Sequence, residues 1–354
     1  MFRPTLLFTS LAALVLGACS PQDRQAVTSA AIANQIILPT YSRWVEADRQ
    51  LAISALAYCQ GQATLDTARA DFLHAQRAWT ALQPLLIGPL AEGNRSWQVQ
   101  FWPDRKNLVG RQVDQLVANP TPVDAATLAK SSVVVQGLSA YEYILFDARL
   151  DLADAGQKAR YCPLLVAIGE HQKTLAEAIL GQWNSEEGML WQMSHFPNPR
   201  YADAHEAIAD VLRAQVTALD TLKKKLGTPM GRQNKGIVQP MQAEAWRSQD
   251  ALHSLQASLT AAQAVWAGVD DQGLRGLLGN DQQALAERID AAYAAAQKTL
   301  DGNSRPLAEQ LTTPEGRHSL EVLYDQLNSL HRLHEGELAK ALGIPLGFNA
   351  NDGD

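Results

Sequence analysis

The sequence predicts an all-α protein on three observations: no segment beyond the first nineteen residues reads as strand-rich, apolar residues recur at 3-4 spacing, and Pro/Gly-rich breaks separate the periodic stretches. The breaks are "LLIGPLAEGN", "HFPNP" and "LGTPMGRQNKGIVQP", and no GxGxxG or P-loop pattern occurs. Helical chains of this size usually split their cores, so two bundle halves are expected, 19–190 and 191–354, together one unit. "RAWTALQPL" and "EAWRSQDAL" share an Ala-Trp with Leu six residues after the Trp, a weak hint of duplication between the halves.

The chain opens with a signal. Arg3 supplies a positive n-region, Leu6 to Leu16 an apolar h-region, and residues 1–18 end in Leu-Gly-Ala before Cys19, the pattern of a bacterial lipobox. The apolar run is shorter than the roughly 20 residues that span a bilayer. Cys19 is therefore expected to be lipidated. Ser20 and Pro21 follow it without the Asp that retains lipoproteins at the inner membrane, so the expected location is the periplasmic face of the outer membrane, with the lipid at Cys19 as the membrane contact. The formal charge of −7, one unit more negative once Arg3 is removed, argues against nucleic acid as a partner. Cys59 and Cys162 then remain, and in an oxidising compartment they are expected to pair, closing a loop of about 100 residues worth roughly 4–5 kcal/mol in the chain-entropy model.

Helices follow in order over about 22–58, 62–86, 124–147, 160–183, 200–226, 240–267, 280–300 and 314–342. In the 160–183 stretch Tyr161, Leu165, Ile168, Leu175, Ile179 and Trp183 keep 3-4 spacing, and Pro163 suits a first turn. Thr312, Thr313, Pro314 and Glu315 make a good entry to the last helix. In the tail, Ile344, Leu346 and Phe348 suggest docking against the body.

Within 124–147, Glu142 is the single charge between Ser131 and Phe146. Burying an unpartnered carboxylate is costly, so Glu142 is paired, protonated or bound to something. On a helix it shares a stripe with Leu138, Ser139, Leu145 and Phe146. A bundle-specifying hydrogen bond and a ligand carboxylate both fit. In "SLHRLHEGEL", His334 follows the stripe of Leu320, Leu323, Leu327, Leu330 and Leu338, with His331 beside it, so this pair is either a core-edge contact or a metal pair. Trp97, Phe101 and Trp102, followed by Asp104, Arg105 and Lys106, either pack under a long loop or line a cleft suited to sugar or peptide. Neither His205-Glu206 nor His334-Glu335 extends to HExxH, and there is no G-x-S-x-G elbow.

"QGLSAYEYILFD" resembles the helix that carries the Gly-x-His-x-x-Glu signature of the imelysin family, with Gly137 and Glu142 on its Gly and Glu and Ser139 where it has His. "ILPTYSRW", "QFWPDRKNLVGRQV", "EAWRSQDALHSLQASL" and the ending "LGIPLGFNANDGD" agree with the same family, so the resemblance spans essentially the whole mature chain. It implies two helical-bundle halves, export, and association with iron uptake, while some members are described as insulin-cleaving metallopeptidases. It also makes Arg247 and Ser248 partners facing the Glu142 helix, with Arg247 keeping Glu142 ionised. Ser139 lacks the imidazole nitrogen a first-row metal prefers, which speaks against peptidase activity.

The expected function is an outer-membrane lipoprotein acting as a binding or accessory component in iron acquisition. Its ligand cleft is expected at Glu142 between the halves, formed by Ser139, Glu142, Arg247, Ser248, Trp97 and Trp102. Iron, an iron complex or another divalent metal is the candidate ligand or cofactor, with Glu142, His331 and His334 as candidate metal ligands. The rival functions are a metallopeptidase of the insulin-cleaving type and a scaffold for an outer-membrane transporter.

Overall fold

The computed structural model describes residues 23–119 and 123–346. Cys19 and Phe348 lie outside the described residues. Among those described there are helices and no strand, and no helix is long and apolar enough to cross a membrane.

Helix α1 (Arg24–Ala31) starts on Asp23, whose carboxylate accepts from the Gln25 and Ala26 backbone N–H groups. The chain runs through a π-helical segment, Ile32–Ile37, into α2 (Leu38–Cys59), and Thr64 then caps α3 (Leu65–Leu82). Three short helices follow, α4 (Arg95–Val99), α5 (Leu108–Val117) and α6 (Ala125–Leu128), leading to α7 (Leu138–Phe146) and the long α8 (Ala155–Trp183). Helices α2, α3 and α8 pack together through an inner stripe of α2 formed by Tyr41, Trp44, Asp48, Leu51, Ala55 and Tyr58. The Cys59–Cys162 disulfide joins the end of α2 to α8, as the cysteine count predicts.

The remainder comprises α9 (Met189–Gln192), α10 (Ala204–Gly227), α11 (Ala251–Ala267), α12 (Gln283–Asp301), α13 (Leu307–Gln310) and α14 (Pro314–Arg332), which continues through a second π-helical segment, Leu333–Leu338, into α15 (Ala339–Ala341). Helix α14 packs on α10 and α12 through buried Leu320, Leu323, Leu327 and Leu330. The two groups of helices meet where α3 lies on α11 and α1 on α10, and Ser29 Oγ donates to the Met193 carbonyl at 2.7 Å. Ile344 is buried and its N–H donates to the Ala339 carbonyl, which docks the described part of the tail.

Three expected helices differ in extent. Helix α8 begins on Asp154, which caps the Gln157 N–H, so Pro163 sits inside the helix rather than in its first turn. The stretch expected at 124–147 is broken between α6 and α7 at Gly137, where an added Cβ would lie 2.2 Å from the Val99 carbonyl oxygen. That close approach explains why the position requires glycine. The helix expected over 240–267 starts only at Ala251. Residues 243–250 form turns in which Ala245 and Gln249 take φ of 50° and 60°. "EAWRSQD" is therefore not a helix, and its likeness to "RAWTALQPL" does not reflect a shared helical element.

Candidate functional site

The turns at 243–250 thread between both groups of helices, and each buried polar side chain along them is anchored differently. Glu142, 5% exposed on α7, accepts from the Ser248 N–H at 2.9 Å and the Ser248 hydroxyl at 2.8 Å, both on Oε1. Burial raises its pKa, and the Ser248 bonds and nearby Arg247 oppose that without cancelling it.

Two expected partners go elsewhere. Ser139, in the first turn of α7, donates to the Phe101 carbonyl at 2.9 Å, because α7 begins at Leu138 and that turn lies against residues 98–101. The Arg247 guanidinium donates from Nε to Asp147 Oδ2 at 3.0 Å and from Nη2 to Asn107 Oδ1 at 3.1 Å, between the rings of Trp246 and Tyr143. Burial pushes Asp147 up, but hydrogen bonds from Arg149 and Arg247 hold it below its ordinary value. At the far end of the turns, Arg77 from α3 pairs with Asp250, Nε to Oδ2 at 3.0 Å.

The candidate metal ligands do not come together. Both nitrogens of fully buried His334 are engaged, Nδ1 with the Leu330 carbonyl at 2.9 Å and Nε2 with the Tyr293 hydroxyl at 3.2 Å. Burial lowers its pKa to about 4, so the ring is neutral. His331 Nδ1 lies 3.8 Å from Glu335, and among the described residues no three His, Cys, Asp or Glu side chains form a metal-holding group. The donors on Glu142 are the Ser248 N–H and hydroxyl, with the Arg247 charge nearby. This set does not fit a first-row metal, which favours imidazole, thiolate or several carboxylates.

Trp97 and Trp102 line a cleft of about 570 Å³, within the usual range of small-molecule sites. Glu142, Ser139, Arg247 and Ser248 are not among its lining residues. The six residues expected in one cleft thus fall into two neighbouring places, linked through Phe101–Trp102 and the 243–250 turns.

The floor of the cleft holds a pair that sequence reasoning missed: Lys225 of α10 and Glu244, 5% and 3% exposed, form an ion pair. Gln83 bridges it, accepting from Lys225 Nζ at 2.7 Å and donating to Glu244 Oε1 at 3.1 Å. Lys225 Nζ also lies 5.4 Å from the Trp102 ring centroid, and burial lowers its pKa against the opposing pull of Glu244. Arg200, Arg213 and Asp210 stand at the rim, and Trp97 is 42% exposed.

Comparison with known proteins identifies the class to which this all-helical fold belongs. The imelysin profile matches residues 37–334, so the chain belongs to the imelysin family. It is 22% identical over 322 residues to "Iron-regulated protein A" of Synechococcus elongatus, covering 86% of this chain and 84% of that one. Among solved structures, an imelysin-like protein of Psychrobacter arcticum 273-4 superposes with a TM-score of 0.79 at 21% identity, covering 92% of this chain and 97% of the other. A putative iron-regulated protein A precursor of Parabacteroides distasonis gives 0.75 at 14% identity with the same coverage. These structures share the fold.

Proposed function

We propose that this chain is an exported accessory component of iron acquisition, anchored to the outer membrane through a lipid on Cys19, that acts by binding rather than by cleaving peptides. The names of the cyanobacterial and Parabacteroides relatives support the iron link, and the lipobox supports the anchor.

The observation that carries the binding role is which groups Glu142 and Ser139 meet. Glu142 Oε1 takes both Ser248 donors, and Ser139 gives its hydroxyl to a backbone carbonyl. A zinc-type peptidase site needs three protein ligands and an open position for water. The donor set here instead favours a lock between α7 and the 243–250 turns. A scaffold role at an outer-membrane transporter is compatible with the same lock.

The test is metal content by mass spectrometry of the purified protein before and after incubation with ferric, ferrous, cupric and zinc ions, with Glu142→Gln alongside, together with growth of a deletion strain under iron limitation. The expected result is no stoichiometric metal in either protein and slowed growth restored by the wild-type chain. Stoichiometric metal that disappears in Glu142→Gln would overturn the reading in favour of a metallopeptidase or direct ion carrier. Unchanged growth of the deletion strain would remove the iron link.

A further inference from the structure

We infer that the cleft between the Trp97–Trp102 segment and α10 is a carbohydrate site, taking a pyranose ring with Trp97 as its stacking platform and Glu244 as its deepest hydroxyl acceptor. This inference goes beyond the iron-linked reading and does not depend on it. Trp97 leaves 42% of its surface in solvent at the mouth of the cleft, with Phe101 supporting it at a ring separation of 5.6 Å. A large apolar ring held in water beside a cleft is a ready platform for a flat ligand face.

The polar groups decide which flat ligand. On the floor, the hydrogen bonds to Glu244 from Lys225 and Gln83 fall on Oε1, which leaves Oε2 with unused acceptor capacity on a residue that lines the cleft. At the rim, Arg213 spends one nitrogen on Asp210, while Arg200 uses Nε on the Tyr201 hydroxyl and Nη1 on Glu92, so both guanidiniums keep unused donors. Acceptor below and donors above reject a simple ion of either sign. An anion meets the Glu244 carboxylate, and a cation meets Lys225, Arg200 and Arg213. A sugar hydroxyl both donates and accepts, and a pyranose offers an apolar face beside a ring of such hydroxyls. One such ring satisfies Trp97, Glu244 and the rim arginines together.

The buried ion pair fits the same reading. Lys225 and Glu244 are held out of water at a desolvation cost that apolar residues would avoid. Placed at the floor of a cleft, the pair fixes the direction of the carboxylate without leaving it a bare negative charge.

The experiment is titration calorimetry and tryptophan fluorescence of the purified protein with cellobiose, maltose and N,N′-diacetylchitobiose, with benzoate and choline as a flat anion and a simple cation. At least one disaccharide is expected to bind, about tenfold more weakly in Trp97→Ala, a loss of about 1.4 kcal/mol. Trp97→Phe should recover part of the loss, and Arg213→Ala should weaken binding further. Trp97 and Arg213 are exposed, so these variants are expected to fold, and circular dichroism checks that. Binding of benzoate or choline in preference to every disaccharide overturns the inference. So does the absence of binding by all five probes, or disaccharide binding that Trp97→Ala leaves unchanged. Growth under iron limitation reports separately on the iron role, so either proposal can fail while the other stands.

Discussion

Glu142 and Glu244 are both buried acids that meet the 243–250 turns, yet they are satisfied in opposite ways. Glu142 comes from α7 and takes two neutral donors from Ser248, whereas Glu244 belongs to the turns themselves and takes an ammonium from Lys225 of α10. The first arrangement is a hydrogen-bonded latch. The second is a buried charge pair. The difference decides what each can tolerate: a latch loses one or two hydrogen bonds when cut, but a charge pair cut on one side leaves an uncompensated ion in a place poor in water.

The largest expected effect follows from the pair. Lys225→Met should destabilise the fold by about 3–5 kcal/mol by leaving Glu244 alone, whereas the double variant Lys225→Met with Glu244→Leu should recover most of that, as replacing a buried pair with apolar groups often does. Urea unfolding of the three proteins checks it. Additive losses in the double variant would mean that the two residues do not act as a pair.

The latch should yield less. Glu142→Ala strands the Ser248 N–H, while the Ser248 hydroxyl keeps the Ala245 carbonyl as acceptor at 3.1 Å; the change is expected to cost about 1–3 kcal/mol, and Ser248→Ala, which keeps the N–H bond, about 1 kcal/mol. The same unfolding measurement reads both. A loss for Glu142→Ala as large as that for Lys225→Met would erase the distinction between latch and pair.

Much of this was legible in the sequence, for reasons particular to each residue. A lone Glu among "VVVQGLSAYEYILFD" announced its own burial, and the family resemblance placed Ser248 across from it. The cysteine pairing followed from having two candidates in an oxidising compartment. Arg247 was assigned to Glu142, but its fork finds Asp147 and Asn107 instead, a choice set by side-chain packing between Trp246 and Tyr143. The helix expected through 240–250 failed because Ala245 and Gln249 adopt positive φ, and neither residue type signals it. Tertiary contacts at Glu142, Lys225 and Arg77 hold those turns in place of local propensity. Lys225 carried an overlooked signal: of the three lysines in "LKKKLG" it alone stands three after Leu222 and seven after Ala218, on the buried face of α10.

A third buried acid sharpens the contrast by having neither solution. Asp48, fully buried on the inner stripe of α2, has no hydrogen-bond partner on either oxygen, and burial pushes its pKa well above the ordinary 3.8. The folded protein then keeps this proton where the unfolded chain has lost it, so Asp48 makes stability fall as pH rises from that ordinary value upward. Asp48→Asn removes the dependence. Its midpoint in urea is expected to gain on wild type steadily as pH rises above the ordinary 3.8, until the pH passes the raised folded-state value. Parallel curves for the two proteins would show that Asp48 finds a partner in the folded state.

The smallest expected effect on stability belongs to Trp97, and it separates the cleft from everything beneath it. Lys225, Glu244, Glu142 and Asp48 are buried, so removing any of them disturbs packing or charge, while Trp97 stands 42% exposed at the mouth. Trp97→Ala should shift unfolding by no more than about 0.5 kcal/mol, the range of surface substitutions away from special features. A larger loss would make Trp97 part of the packing under its loop and remove the reason to see it as a platform. A null effect on stability beside weakened binding of a sugar would assign the ring to the ligand. The floor of the cleft would then serve both the fold and the ligand, and its rim the ligand alone.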